Sequence, residues 1–163
     1  MALTTIGRKG YDAYPVASQW RVTSNYDGDA NPIASNWEEA DAPTGFGVFG
    51  SSMTESSGVF TFPSTGYWFI RFTWNVYHGA ALVYGYSEIA TTHNDSTWAT
   101  AAQSFVSPGD GQYTSISQEY IFDVTAVSTH KVRFRTEQNN NSNATTTGDF
   151  HRTGATFIRL GDT

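Results

Sequence analysis

Residues 58–77 read GVFTFPSTGYWFIRFTWNVY, and the part of this stretch that follows the turn at Pro63–Gly66 decides the fold. Trp68, Ile70, Phe72, Trp74 and Val76 fall on one face of a strand, and all five are apolar. Tyr67, Phe69, Arg71, Thr73 and Asn75 fall on the other, which starts aromatic and becomes polar. Side chains alternate along a strand, so the first set must enter a core. The second face is too aromatic at its start for an ordinary wet surface and calls for a partner sheet or another chain. The pattern predicts a β-sandwich that oligomerises, and nothing comparable in the sequence argues for catalysis.

Composition agrees with an all-β chain. The 163 residues fit one domain able to bury a core without staples. Aromatic residues make up 15% and charged residues 15%, the latter against a usual ~25%. Tyr, Phe, Trp, Thr and Val are abundant, Lys occurs only at Lys9 and Lys131, and 15 glycines mark many turns. The net charge of −6 and the lack of a basic run argue against a nucleic-acid partner, which needs a Lys/Arg footprint. With no Cys, disulfides and thiolate metal sites are excluded. No apolar run approaches ~18 residues and no charged segment leads into an apolar one at the start, so neither membrane insertion nor signal-peptide export is expected.

Along the chain, residues 1–17 (MALTTIGRKGYDAYPVA) show no sustained period and read as an N-terminal arm, with Arg8, Lys9, Tyr11 and Tyr14 as docking residues; residues 18–163 form the domain. Gln19–Thr23 reads as a first strand and Asn25–Pro32 as a turn cluster. In Asn36–Gly50, Trp37 is expected to anchor a loop, with Phe46, Val48 and Phe49 returning to the core. Val59–Phe62 is a short strand, and Gly79–Glu88 alternates again. Trp98–Val106 reads equally as a loop or an edge strand, and Ser107–Gln112 is the clearest turn. Tyr113–Val124 is one bent strand or a pair. In Thr129–Glu137, Val132 and Phe134 point inward and Lys131, Arg133 and Arg135 outward. Asn139–Thr147 is a polar loop, and Ala155–Leu160 closes the sheet. Eight to ten strands at this spacing predict an antiparallel sandwich, and closing it without sticky edges favours a jelly roll.

Phe60 to Phe72 resembles the jelly-roll superfamily of tumour necrosis factor and the complement q globular head. That family carries an aromatic, five residues, then Gly-x-Tyr-x-Phe-x-aromatic on its central strand. Phe60, Gly66 and Phe72 match this spacing, while Trp68 stands for the motif's Tyr and Ile70 for its Phe. The C-terminal ATFIRLG is similar to the family's last strand. QWRV, ANPIASNWE and SGVFTFPSTGYW look most like complement-q-like domains in structural proteins of marine bacteriophages. The resemblance implies a homotrimer, with Tyr67, Phe69, Arg71 and Thr73 at the threefold interface and Trp68, Ile70, Phe72 and Trp74 in the core. Arg71 there would need an acidic partner or water.

Signals for chemistry are sparse. His78, His93, His130 and His151 sit in separate segments without ligand spacing, and no hydrolase or phosphate-loop motif appears. Asp27, Asp29 and Asp110 lie beside glycines and offer the oxygen ligands that calcium takes, although such residues also serve simply as turn formers. Trp37, Trp98 and Tyr113 flank polar turns and are candidates for stacking on sugar rings, or for anchoring their loops. Sequons at Asn94, Asn140 and Asn143 matter only in a eukaryotic secretory pathway. The expectation is a non-enzymatic virion protein without cofactor. It would be made in the host cytoplasm and would partner itself and other virion proteins. The rival is an extracellular carbohydrate- or cell-surface-binding module of the same fold, and a host surface glycan is a candidate partner in either case.

Overall fold

The central strand has the predicted faces. In the computed structural model, which describes residues 16–40, 48–80, 83–139 and 144–163, Trp68, Ile70, Phe72, Trp74 and Val76 are completely buried. They lie on β7 (Gly66–His78), the spine of an antiparallel sandwich whose described elements are all strands. The others are β1 (Ala17–Val22), β2 (Tyr26–Asp27), β3 (Trp37–Glu39), β4 (Val48–Phe49), β5 (Thr54–Ser56), β6 (Val59–Thr61), β8 (Gly85–Thr92), β9 (Ala99–Val106), β10 (Gln112–Val124), β11 (Lys131–Gln138), β12 (Ala144–Thr146) and β13 (Gly154–Gly161).

One sheet pairs β10 with β7 along the full length of both strands, from Gln112–His78 to Val124–Gly66. The other edge of β7 is shared: β13 covers Tyr67–Thr73 and β12 covers Val76–His78. β1 lies beyond β13, with β3 and β4 outside it, and β2 lies beyond β12. The second sheet runs β5-β6-β11-β8-β9. Sequence neighbours are thus divided between two sheets, and the C-terminal strand pairs next to the first: an antiparallel jelly roll.

The core between the sheets is largely aromatic. Phe72 stacks on Phe134 with centroids 4.6 Å apart, and Phe60 meets Trp20, Trp37, Phe134 and Phe157 at 5.1–5.5 Å. Burying such a side chain stabilises the fold by roughly 1.5–3 kcal/mol, and edge-to-face and offset pairs add to that. Gly66 opens β7 at φ +135°, where a Cβ would stand 2.3 Å from the Gly161 carbonyl oxygen. Only glycine allows β13, irregular between Arg159 and Gly161, to pass so close.

Several expectations are corrected. Asn139–Thr147 is not all loop: Ala144–Thr146 forms β12, whose Ala144 and Thr146 are buried. Trp74 Nε1 donates to Thr146 Oγ1 at 2.9 Å, so a polar residue satisfies the buried indole. The strand expected over Gly79–Glu88 starts at Gly85 and continues to Thr92. Of the alternatives left open, Tyr113–Val124 is one strand and Trp98–Val106 supplies edge strand β9, whereas β13 lies inside its sheet between β1 and β7 rather than closing it. Ala17 belongs to β1 rather than to an arm, and the Val16 carbonyl accepts from Arg159 N at 2.8 Å. Phe49 is exposed instead of returning to the core. Arg8, Lys9, Tyr11, Tyr14, Phe46, Asn140 and Asn143 lie outside the described residues.

Candidate self-association face

The side chains of β7 that point away from the core are Tyr67, Phe69, Arg71, Thr73, Asn75 and Tyr77, and strand register extends each into a row. Ile121, Phe69, Ile158 and Ala17 are in register across β10, β7, β13 and β1. Tyr67 precedes this row and Leu160 lies past it. Ile121 is 57% exposed, Leu160 55% and Tyr67 41%. This end of the sheet is an apolar patch open to water.

The middle of the face is polar and bonds to itself. Arg71 Nη1 stands 3.8 Å from Glu119 Oε1 on the neighbouring strand, and Arg71 Nη2 donates to Ser117 Oγ at 3.4 Å. The acidic partner that a charge at this position needs is therefore supplied by the same chain. Both side chains are half exposed, so the pair neutralises charge more than it stabilises the fold. Thr73 Oγ1 and Ser117 Oγ are 2.9 Å apart, and Asn75 Nδ2 donates to Ser115 Oγ at 2.5 Å. On β1, Arg21 pairs with Glu38 at 2.7 Å. His151 feels this side of the sheet: burial first, then the Arg21 and Arg71 charges, lowers its pKa. At the far end the rings of Tyr77 and Tyr113 lie 4.8 Å apart.

The other candidates are scattered. Trp37 sits on β3, its ring against Phe60, Phe72 and Phe134 and its Nε1 donating to the Ile33 carbonyl at 2.7 Å. It is partly buried and packs against the core. Trp98 lies on the opposite sheet under the Arg133 guanidinium, 4.4 Å from the ring centroid. On the same sheet, Tyr86 donates to Glu137 Oε2 at 2.7 Å, and burial followed by that carboxylate pushes its pKa up to about 12. Tyr113 belongs to strand β10 and is 67% exposed.

Asp27 and Asp29 act as local acceptors. Asp27 Oδ1 takes the Thr145 hydroxyl at 2.6 Å, and Asp29 Oδ1 takes the Gln138 N–H at 2.8 Å. Asp110 lies in the turn before β10 and acts electrostatically on His78. The three do not converge, and among the described residues no group of three or more His, Asp or Glu side chains is placed to hold a metal ion.

Two histidines that look unrelated in sequence meet beside Phe122. His93 Nδ1 and His130 Nε2 are 3.0 Å apart, and the His130 ring stacks on Phe122 at 5.6 Å. Burial and then His93 lower the His130 pKa, against smaller opposing effects of the Ala126 carbonyl and Asp123. Burial also lowers His78, with Asp110 opposing. Both groups take up a proton less readily folded than unfolded, where histidine titrates near ~6.5. Their stabilising contribution is full above that value and is lost as pH falls through it towards the lowered folded values. The melting temperature is therefore expected to fall between about pH 7 and pH 5, and His130→Gln to flatten the fall. A melting temperature that is constant over this range in differential scanning calorimetry would contradict the assignment.

Solved structures give the fold its relatives. A crystal structure of murine APRIL at pH 5.0 matches 90% of this chain and 99% of its own, with a TM-score of 0.65 and 10% identity. The structure of Eiger TNF from S. frugiperda matches 93% and 96%, with a TM-score of 0.66 and 12% identity. No protein-family model and no curated protein matches the sequence. At these identities the likeness establishes a tumour-necrosis-factor-like jelly roll and goes no further than the fold. Sequence reasoning found the β7 half of the outer face but missed Ile121, Glu119, Ile158 and Leu160, which join it only through strand register.

Proposed function

We propose that the chain is a non-enzymatic structural protein that forms a homotrimer through the apolar end of the outer face of β10, β7, β13 and β1. The observation that carries the proposal is the exposed apolar group of Tyr67, Ile121, Ile158 and Leu160 around the half-buried Phe69 at one end of that face. Soluble monomers rarely leave contiguous apolar area open, and such patches mark interaction sites. Association costs an estimated 4–15 kcal/mol (order of magnitude), while each large apolar side chain gains roughly 1.5–3 kcal/mol when fully buried. A row already half covered within its own chain is marginal for a pair. A closed ring of three lets each copy bury surface against two neighbours.

The trimer is proposed to serve on a virion as capsid decoration, head fibre or tail knob, with residues 1–17 as the docking segment. This reading is supported by the sequence resemblance to structural proteins of marine bacteriophages. Removing residues 1–15, which precede β1 and the Val16 carbonyl that holds Arg159, should leave the trimer mass unchanged, apart from the missing residues, and abolish co-sedimentation with the particle. Co-sedimentation that persists would contradict the arm's role, and absence of the chain from purified particles would contradict the virion reading. A second reading, attachment to a host surface glycan, is favoured by one observation: Tyr113 keeps its ring in solvent although it lies on a strand.

A further inference from the structure

We infer that the Tyr113 end of the outer face is a binding site for a carboxylated sugar unit of a surface polysaccharide. A cavity of about 350 Å³ is lined there, among the described residues, by Asn75, Tyr113 and Arg152. That volume is within the range of small-molecule sites. Each lining group matches one part of such a ligand.

The Tyr113 ring is two-thirds exposed and braced by Tyr77 at 4.8 Å. It offers a rigid apolar face with a hydroxyl at its edge, suited to the C–H face of a pyranose. Arg152 is exposed, and among the described residues its guanidinium has neither an ion pair nor a hydrogen bond. It lies 5.3 Å from the Phe150 ring centroid, a contact that leaves its N–H fork unused. A guanidinium fork binds a carboxylate bidentately. Asn75 is held between Ser115 and Thr147, so the amide of this third lining residue is fixed in place.

The site is separated from the proposed trimer contact. Tyr77 lies eight residues along β7 from Phe69, roughly 26 Å at the usual rise per residue. The apolar end can therefore be closed while the Tyr113 end stays open. The inference deepens the attachment reading and rests on it only for the class of ligand.

Isothermal titration of the full chain at low salt, with trigalacturonate, glucuronate-containing and sialylated trisaccharides and neutral maltotriose as probes, tests the site. At least one acidic probe should bind saturably, once per chain and more tightly than maltotriose. Tyr113→Ala should weaken that binding roughly tenfold or more. Arg152→Gln should remove the preference for the acidic probe, and solution mass should be the same in both variants. No saturable binding of any acidic probe, equal affinity for maltotriose, or unchanged affinity in both variants would overturn the inference. Measuring mass in parallel separates the two proposals: an unmodified chain that is trimeric but binds no acidic probe counts against the site alone, and an unmodified chain that binds as a monomer counts against the trimer alone.

Discussion

Replacing Phe72 with alanine is expected to lower the unfolding free energy by ~3–5 kcal/mol. Phe72 is completely buried, stacks on Phe134 at 4.6 Å and lies 6.5 Å from Trp37. On the flanking strands its register partners are Ala155 and Gln118. The alanine has no side chain long enough to fill the void, and Gln118 cannot enter it without stranding an amide whose oxygen accepts from Ser87 Oγ at 2.9 Å. The cavity should therefore persist at nearly full size, which places the cost in the upper part of the large-to-small range. Domains are typically stable by only ~5–15 kcal/mol, so the variant should fold and melt far earlier. Urea unfolding followed by tryptophan fluorescence measures the loss, and a loss under about 1 kcal/mol would contradict the packing described.

Phe69→Asp, three positions earlier on the same strand, should have the opposite signature. Phe69 points away from the core, between Ile121 and Ile158 in register. A carboxylate at the centre of this row would have to be desolvated in any assembly that buries it, at a cost of several kcal/mol. In an isolated chain it remains wet. The variant should keep the β signal of the wild type in circular dichroism while its mass falls from that of a trimer to the 17.9 kDa of one chain. A variant that remains trimeric would show that the interface lies elsewhere. Loss of the β signal would show that Phe69 supports the fold itself. Either result contradicts the face assignment.

The contrast between these substitutions was legible in the sequence because β7 and β11 alternate without a fault. Trp68 to Val76 and Val132 to Phe134 announce their inward faces by period two alone. Other strands hide theirs. Every residue of β8 is buried, since outward Tyr86 and Glu88 are covered by Glu137 and Arg135, so its pattern carries no wet side. β10 turns Gln118 inward to meet Ser87 and Ile121 outward, which reverses the usual reading at both positions. β12 is Ala-Thr-Thr after an asparagine run, and only the Trp74 indole, 72 residues away in sequence, reveals why Thr146 is buried.

The candidate face shows the same division. Its β7 residues follow from local alternation. Glu119, Ile121 and Ile158 reach them through pairings between residues about 50 to 90 positions apart, and register of that range is set by the whole sandwich rather than by any local signal. Trp37 illustrates the converse: of its two readings, loop anchor or sugar-stacking ring, the contacts with three core phenylalanines and the Ile33 carbonyl agree with the anchor. His93 and His130 likewise meet only because the turns after β8 and β10 lie side by side.

Light scattering after size exclusion of the unmodified chain tests the central claim most directly. Three copies of a 17.9 kDa chain predict a single species of about 54 kDa that does not dissociate on dilution. A stable species of 17.9 kDa would contradict the account and leave the apolar row of β10, β7 and β13 without the partner proposed for it.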